Sequence, residues 1–195
     1  MSIEAIILLV VSSIFINNFV LAKFLGICPF IGVTKKLDSA IGMGVAVTFV
    51  LTISSALTWL VYTYLLLPYN ITYLKTVAFI LVIATFVQFV ELIIRKVAPA
   101  LYAALGIFLP LMTTNCAVLG AAAINVQKDY NLITSILFGF GAGLGFLLAL
   151  ILMAGIRGRL EDCNIPRVLR GVPIAIISAG LMSLAFMGFA GMIKE

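Results

Sequence analysis

The sequence predicts an all-α polytopic membrane protein, with six transmembrane helices arranged as two inverted three-helix repeats and broken segments at two cysteines. Three observations carry that prediction. Of the 195 residues, 64% are hydrophobic and 10% charged, whereas a soluble domain carries about 25% charged residues. The mean hydropathy is +1.29. The charge-free stretches 5–22, 39–74, 76–90, 97–127, 130–156 and 171–193 supply six spans close to the roughly 20 apolar residues that a bilayer-crossing helix needs. Six spans use about 120 residues, which leaves only connecting loops. No Walker A or dinucleotide-binding glycine pattern occurs either, so ATP- and NAD-binding folds are excluded.

The helices are expected near 3–22, 39–65, 72–94, 99–124, 131–155 and 171–193. Glu4, the lack of Lys or Arg ahead of the first apolar run and the lack of a small-residue cleavage site predict a retained first helix rather than a secretion signal. Asn17 and Asn18 are expected deep inside it. Residues 24–34 (FLGICPFIGVT) form an apolar run of 11 between Lys23 and Lys35, too short to span. Gly26, Pro29 and Gly32 interrupt that run, so it reads as a re-entrant or broken segment. Lys23 is placed to snorkel to the interface. At the end of the third helix, Glu91 and Arg95 have the spacing of a helical ion pair, a structural role rather than a proton relay.

The fourth helix is interrupted by Pro110 and by the polar run Thr113-Thr114-Asn115 ahead of Cys116. Irregular backbone at membrane depth must be buried in protein or line a cavity, so both interruptions are expected to face a protein interior. The fifth helix carries Gly139, Gly141, Gly143 and Gly145, two overlapping small-xxx-small spacings that favour close helix contact. Three helices per half would invert the second half, about 96–195, relative to the first, about 1–95, within a single membrane domain. Cys28-Pro-Phe-Ile-Gly32 and Cys116-Ala-Val-Leu-Gly120 echo each other across the halves.

Charge sets the expected orientation. The first, third and fifth loops hold nine cations (Lys23, Lys35, Lys36, Arg95, Lys96, Arg157, Arg159, Arg167, Arg170) and the other side three (Lys75, Lys128, Lys194). Cytoplasmic loops collect Lys and Arg, so both termini are expected outside the cytoplasm. The net charge of +5 is accounted for by topology, without a nucleic-acid partner.

Cys28, Cys116 and Cys163 are the cysteines. Each reads first as a small buried hydrophobe; a disulfide between the first two lacks an obvious oxidant. Zinc wants four nitrogen or sulfur ligands, and without histidine the chain supplies half a set. Two subunits giving two thiolates each would complete a [2Fe–2S] cluster at their interface. Near the midplane, such a centre would divide a barrier of about 30 Å into two steps of roughly 15 Å. Cys163, in the charged loop RGRLEDCNIPR, reads as a free thiol without a role.

The stretches NNFVLAKFLGICPFIGVTKK (17–36), AFILVIATFVQFVE (78–91), LGIFLPLMTTNCAVLG (105–120) and AGLMSLAFMGFAG (179–191) closely resemble the A subunits of the Rnf complex. The sister family is the E subunit of the sodium-translocating NADH:quinone reductase. The resemblance runs over nearly the whole chain and is most specific at the two cysteine segments. It implies a six-helix subunit of the bacterial cytoplasmic (inner) membrane, paired with a homologous E subunit of opposite topology. The pair would share an intramembrane [2Fe–2S] cluster, with Cys28 and Cys116 giving two of four ligands. It also implies an ion-translocating ferredoxin:NAD⁺ oxidoreductase in which other subunits carry flavins and further iron–sulfur clusters, while this one relays electrons coupled to Na⁺ or H⁺ export.

Gly26, Pro29 and Asn115 are then expected to shape the segments that present the cysteines. Asn17, Asn18, Thr113, Thr114 and Asn115 would offer oxygen dipoles to a passing cation, or serve as hydrogen-bonding glue between helices. A quinone-reductase E-type subunit is one alternative. A secondary transporter without a redox cofactor is another, disfavoured by the scarcity of midplane ionisable residues, and a purely structural membrane subunit is a third. Only a redox subunit predicts bound iron that depends on the two cysteines.

Overall fold

A computed structural model describes residues 3–69, 72–97, 109–161, 163–164, 166 and 169–188. All regular structure among them is helical. In chain order the elements are α1 (Ile3–Phe15), α2 (Ile27–Val33), α3 (Leu37–Val61), α4 (Lys75–Val97), α5 (Leu109–Thr113), α6 (Cys116–Gln127), α7 (Leu132–Glu161) and α8 (Val172–Met187). A π-helical turn, Tyr62–Leu66, continues α3, with the Leu67 N–H donating to the Tyr62 carbonyl at 3.1 Å. The stretches 37–66, 75–93 and 132–160 are long and apolar enough to cross a bilayer; α8 is apolar but shorter, at 16 residues.

The helix expected over 3–22 ends at Phe15, and Asn17 and Asn18 lie beyond its end rather than inside it. Asn18 is the physical reason. Short polar side chains compete with the helical ladder for backbone partners, and here the Asn18 carboxamide accepts from the N–H groups of Val20 and Leu21 at 3.0 and 3.3 Å. The helix expected over 99–124 is divided at Thr114 and Asn115 into α5 and α6; its start, at 99–108, lies outside the described residues. The fifth helix runs on beyond 155, to Glu161. The described part of the sixth ends at Met187, and the rest of its expected range, 189–193, lies outside the described residues.

The long helix α7 is the frame. At 30 residues it measures about 45 Å, and α3 packs antiparallel along it while α1 packs parallel on another face. The four glycines of α7 divide between these neighbours. A Cβ built on Gly143 would meet the Cα of Thr48 at 2.6 Å, and one on Gly139 would meet the Leu51 carbonyl at 2.9 Å, both on α3. On the other face, a Cβ on Gly141 would lie 3.0 Å from the Ser13 Cβ, and one on Gly145 would lie 3.1 Å from the Ile14 carbonyl. Each small-xxx-small spacing therefore seats a different helix, and backbone approach replaces side-chain interdigitation.

Around this frame, α4 lies against α3, α5 and α6, and α8 lies against α7 and α2. Phe19, Phe30, Phe79, Phe146, Leu150 and Met153 are fully buried at these junctions. Several threonine hydroxyls inside the bundle are turned back on their own helices, as where Thr48 donates to the Gly44 carbonyl at 2.7 Å and Thr58 to that of Ser54 at 2.7 Å.

Gly143→Val, which drives a side chain into the α3 backbone, should destabilise the folded chain by about 1–3 kcal/mol. Gly155→Ala, where nothing lies within 4 Å of the added Cβ, should be neutral or stabilising by up to about 1 kcal/mol. Thermal unfolding of the purified protein in detergent distinguishes the two.

Candidate functional site

The two interruptions foreseen around Cys28 and Cys116 meet at one place. The first is built by residues 16–26, a stretch without helix whose backbone is nevertheless paired. Leu25 N–H donates to the Phe19 carbonyl at 2.8 Å and Ala22 N–H to that of Asn18 at 2.9 Å. Phe24 (φ 54) and Gly26 (φ 83) both take left-handed backbone conformations, which reverses the chain and starts α2 at Ile27. Pro29 sits in the first turn of α2, where its missing N–H costs nothing. Cys28 is therefore in the first turn of a seven-residue helix.

The second interruption is shorter. Asn115 leaves the helical conformation (φ −70°, ψ 111°) and its side-chain oxygen accepts from the Ala117 N–H at 3.0 Å, an N-cap that starts α6 at Cys116. Both cysteines thus stand where N–H groups are free of intrahelical partners and a negative charge is favoured.

Contact between the two is direct. A Cβ on Gly26 would lie 2.7 Å from the Phe146 ring, 3.0 Å from the Asn115 side-chain oxygen and 3.4 Å from the Ala117 Cβ. Gly26 is fixed twice, by its positive φ and by the space that Asn115 and Phe146 occupy. From the far side of the first break, the Asn18 amide donates to the carbonyls of Gly145 at 2.9 Å and Ile14 at 3.1 Å. Gly145 and Phe146 are the fourteenth and fifteenth of the thirty residues of α7, so the breaks meet at its middle. Ser183 on α8 adds a hydrogen bond of 2.6 Å to the Leu21 carbonyl. Cys28 and Cys116 are both exposed, as is Phe24 in the first break.

Residues 6–193 match the family model described as "Rnf-Nqr subunit, membrane protein". The chain belongs to the Rnf-Nqr family of membrane subunits. A relative from Aeromonas hydrophila, the A subunit of an ion-translocating oxidoreductase complex, is 60% identical over 187 residues, covering 96% of this chain and 97% of the relative. The A subunit of the Na⁺-translocating ferredoxin:NAD⁺ oxidoreductase complex of Acetobacterium woodii is 58% identical with the same coverage. Its counterpart from the ion-translocating oxidoreductase complex of Syntrophotalea carbinolica is 55% identical over 188 residues, again 96% of this chain and 97% of the relative.

The polar residues singled out in the sequence have different fates in this Rnf-Nqr chain. Asn18 is fully buried and its carboxamide is committed to four backbone groups. Asn17 makes a long bond of 3.4 Å to the Ser12 hydroxyl. Thr113 ends α5 and Thr114 is exposed in the turn after it. Asn115 is 4% exposed, and its side-chain nitrogen has no partner among the described residues. Cys163 is exposed just beyond α7, with its sulfur 3.4 Å from the Arg159 carbonyl. Lys23 is exposed with its ammonium 5.8 Å above the Phe19 ring.

Sequence reasoning missed a second buried polar group, Asn125, whose side-chain oxygen and nitrogen are both unpartnered among the described residues. It lines a cavity of about 170 Å³ with Thr58, Trp59 and Tyr130, at the C-terminal ends of α3 and α6. With Gln127 it reads in sequence as the polar end of an otherwise apolar helix.

Asn18→Ala should cost about 2 kcal/mol or more, because it strands buried backbone groups on two helices. Asn17→Ala should cost less than about 1 kcal/mol. Thermal unfolding of the two variants measures the difference, and equal losses would contradict the role given to Asn18.

Proposed function

We propose that this chain is the A-type membrane subunit of an ion-translocating ferredoxin:NAD⁺ oxidoreductase of the bacterial cytoplasmic membrane. It carries no substrate chemistry alone and relays electrons through a [2Fe–2S] cluster shared with a homologous subunit of inverted topology. The observation that carries this reading is the convergence of the two cysteine-bearing helix starts, with both thiols exposed, at the middle of α7. The names of the relatives support the complex and the ion coupling.

The donor set fits half of such a cluster. Thiolates are the usual ligands of [2Fe–2S] centres, and among the described residues no group of three or more His, Cys, Asp or Glu side chains is assembled. Two thiolates on an exposed face therefore call for two more from a partner. When bound, the cluster would accept and release single electrons. The chain's own contribution is rigid presentation. Gly26 and Asn115 start the two helices, Phe146 backs them, and Asn18 locks the first break to α7. That apolar backing excludes water from one side, leaving the other to the partner.

The charge asymmetry of the loops supports placing both termini outside the cytoplasm. For the coupled cation, Asn115 is the residue best suited of those proposed for the path. It adjoins Cys116, and its side-chain oxygen accepts one hydrogen bond, from the Ala117 N–H, which leaves a lone pair for a cation, whereas the Asn18 oxygen already accepts two.

In the purified complex, Cys28→Ala and Cys116→Ala should each lose the iron and acid-labile sulfide of this centre, while Cys163→Ala keeps both. Full iron and full electron transfer in the first two variants would contradict the ligand assignment. Asn115→Ala with the cluster intact should alter the Na⁺ dependence of turnover, and an unchanged dependence would remove Asn115 from the ion path.

A further inference from the structure

The short helix α2 is held at both ends, and its second anchor is a charge from a distant part of the chain. At the N-terminal end Gly26 is packed against Phe146 and Asn115. At the other end Arg157, in the last turns of α7, donates through Nη1 to the Ile31 carbonyl at 2.7 Å and to the Thr34 hydroxyl at 3.1 Å. The same Thr34 hydroxyl donates to the Phe30 carbonyl at 2.8 Å, and Thr34 is completely buried. Arg157 and Thr34 thus occupy two of the carbonyls that the end of a helix leaves without intrahelical partners.

We propose that Arg157 is a positioning residue for Cys28, holding α2 by its C-terminal carbonyls and placing a fixed positive charge at the end of the helix opposite the thiol. The proposal rests on the reading of Cys28 as a cluster ligand. Three physical points support it. A seven-residue helix is far too short to be stable by itself, so its orientation is set by whatever grips its ends. Ile31 is three residues from Cys28, on the neighbouring part of the same helical face, so a shift at the grip is transmitted to the thiol. The guanidinium is permanently charged and planar, and a cation at a helix C-terminus is stabilising. Among the described residues, Lys35, Lys36, Asp38 and Arg159, the charges close in sequence to Thr34 and Arg157, are exposed, whereas Arg157 is half-buried and bonded to α2. Cys116 lies on α6, whereas the Arg157 bonds go to Ile31 and Thr34, so the two thiols should respond differently when Arg157 is changed.

The test uses the purified complex carrying Arg157→Gln or Arg157→Lys, with hydrogen exchange followed at the amides of residues 30–34 and of α6. Loss of a charge-assisted hydrogen bond should speed exchange in α2 by about tenfold or more in Arg157→Gln. Exchange in α6 should not change, and Arg157→Lys should restore part of the protection. A redox titration followed by electron paramagnetic resonance should show a lower cluster potential in Arg157→Gln at unchanged iron content. Unchanged exchange at 30–34 would overturn the proposal. Faster exchange at 30–34 in a complex whose unmodified form holds no iron would keep the tether and overturn the ligand reading instead. If Arg157→Gln does not accumulate, Thr34→Val removes one acceptor at constant shape and must show the same selective rise in α2, smaller in size; a flat response would again overturn the proposal.

Discussion

The absence of side chains at four positions of α7 is the constraint on which the rest of the molecule depends. Gly139 and Gly143 let α3 approach to backbone contact, and Gly141 and Gly145 do the same for α1. Between lipid and protein there is little hydrophobic gain to drive helices together, so such close approach and the hydrogen bonds it permits must supply the association. Once α1 is seated on Gly145, the Asn18 amide reaches the Gly145 carbonyl, the chain leaves the helix, and Gly26 arrives beside Phe146. The position of Cys28 is therefore a consequence of glycines more than 110 residues away in the chain.

Backbone that leaves the helix at membrane depth must still have its polar groups satisfied. Here Asn18 does for the first break what Asn115 does for the second. Each replaces missing ladder bonds with its own carboxamide. The two solutions differ in strength. The first uses both ends of the amide and ties two helices together, whereas the second leaves an amide nitrogen beside Cys116 unpartnered among the described residues.

Much of this was legible in the sequence, and the reasons are physical. Composition alone demands a membrane protein, and the two interruptions announce themselves because Gly26, Pro29 and the run Thr113-Thr114-Asn115 contradict a continuous apolar helix. The glycine spacings of α7 predict close contact, although only the fold reveals that alternate pairs serve different partners. What stayed hidden depends on contacts between residues distant in the chain. The end of α1 at Phe15 is set by an asparagine bonded across 127 positions, and the hold of Arg157 on α2 spans 126. Arg157 reads in sequence as one more loop cation, because nothing local distinguishes a side chain that turns inward from one that faces water. Asn125 was invisible for a similar reason, since with Gln127 it reads as the polar end of an otherwise apolar helix.

The two cysteine-bearing helix starts lie together at the middle of the bundle. The most direct test is a pulsed electron–electron resonance distance between nitroxide labels on Cys28 and Cys116, in the full-length, iron-free Cys163→Ala chain purified without its partner. Convergence at α7 predicts a single short distance, well below the roughly 30 Å thickness of the hydrocarbon core. A distance comparable to that thickness, as for thiols near opposite faces of the membrane, would contradict the shared site and with it the relay.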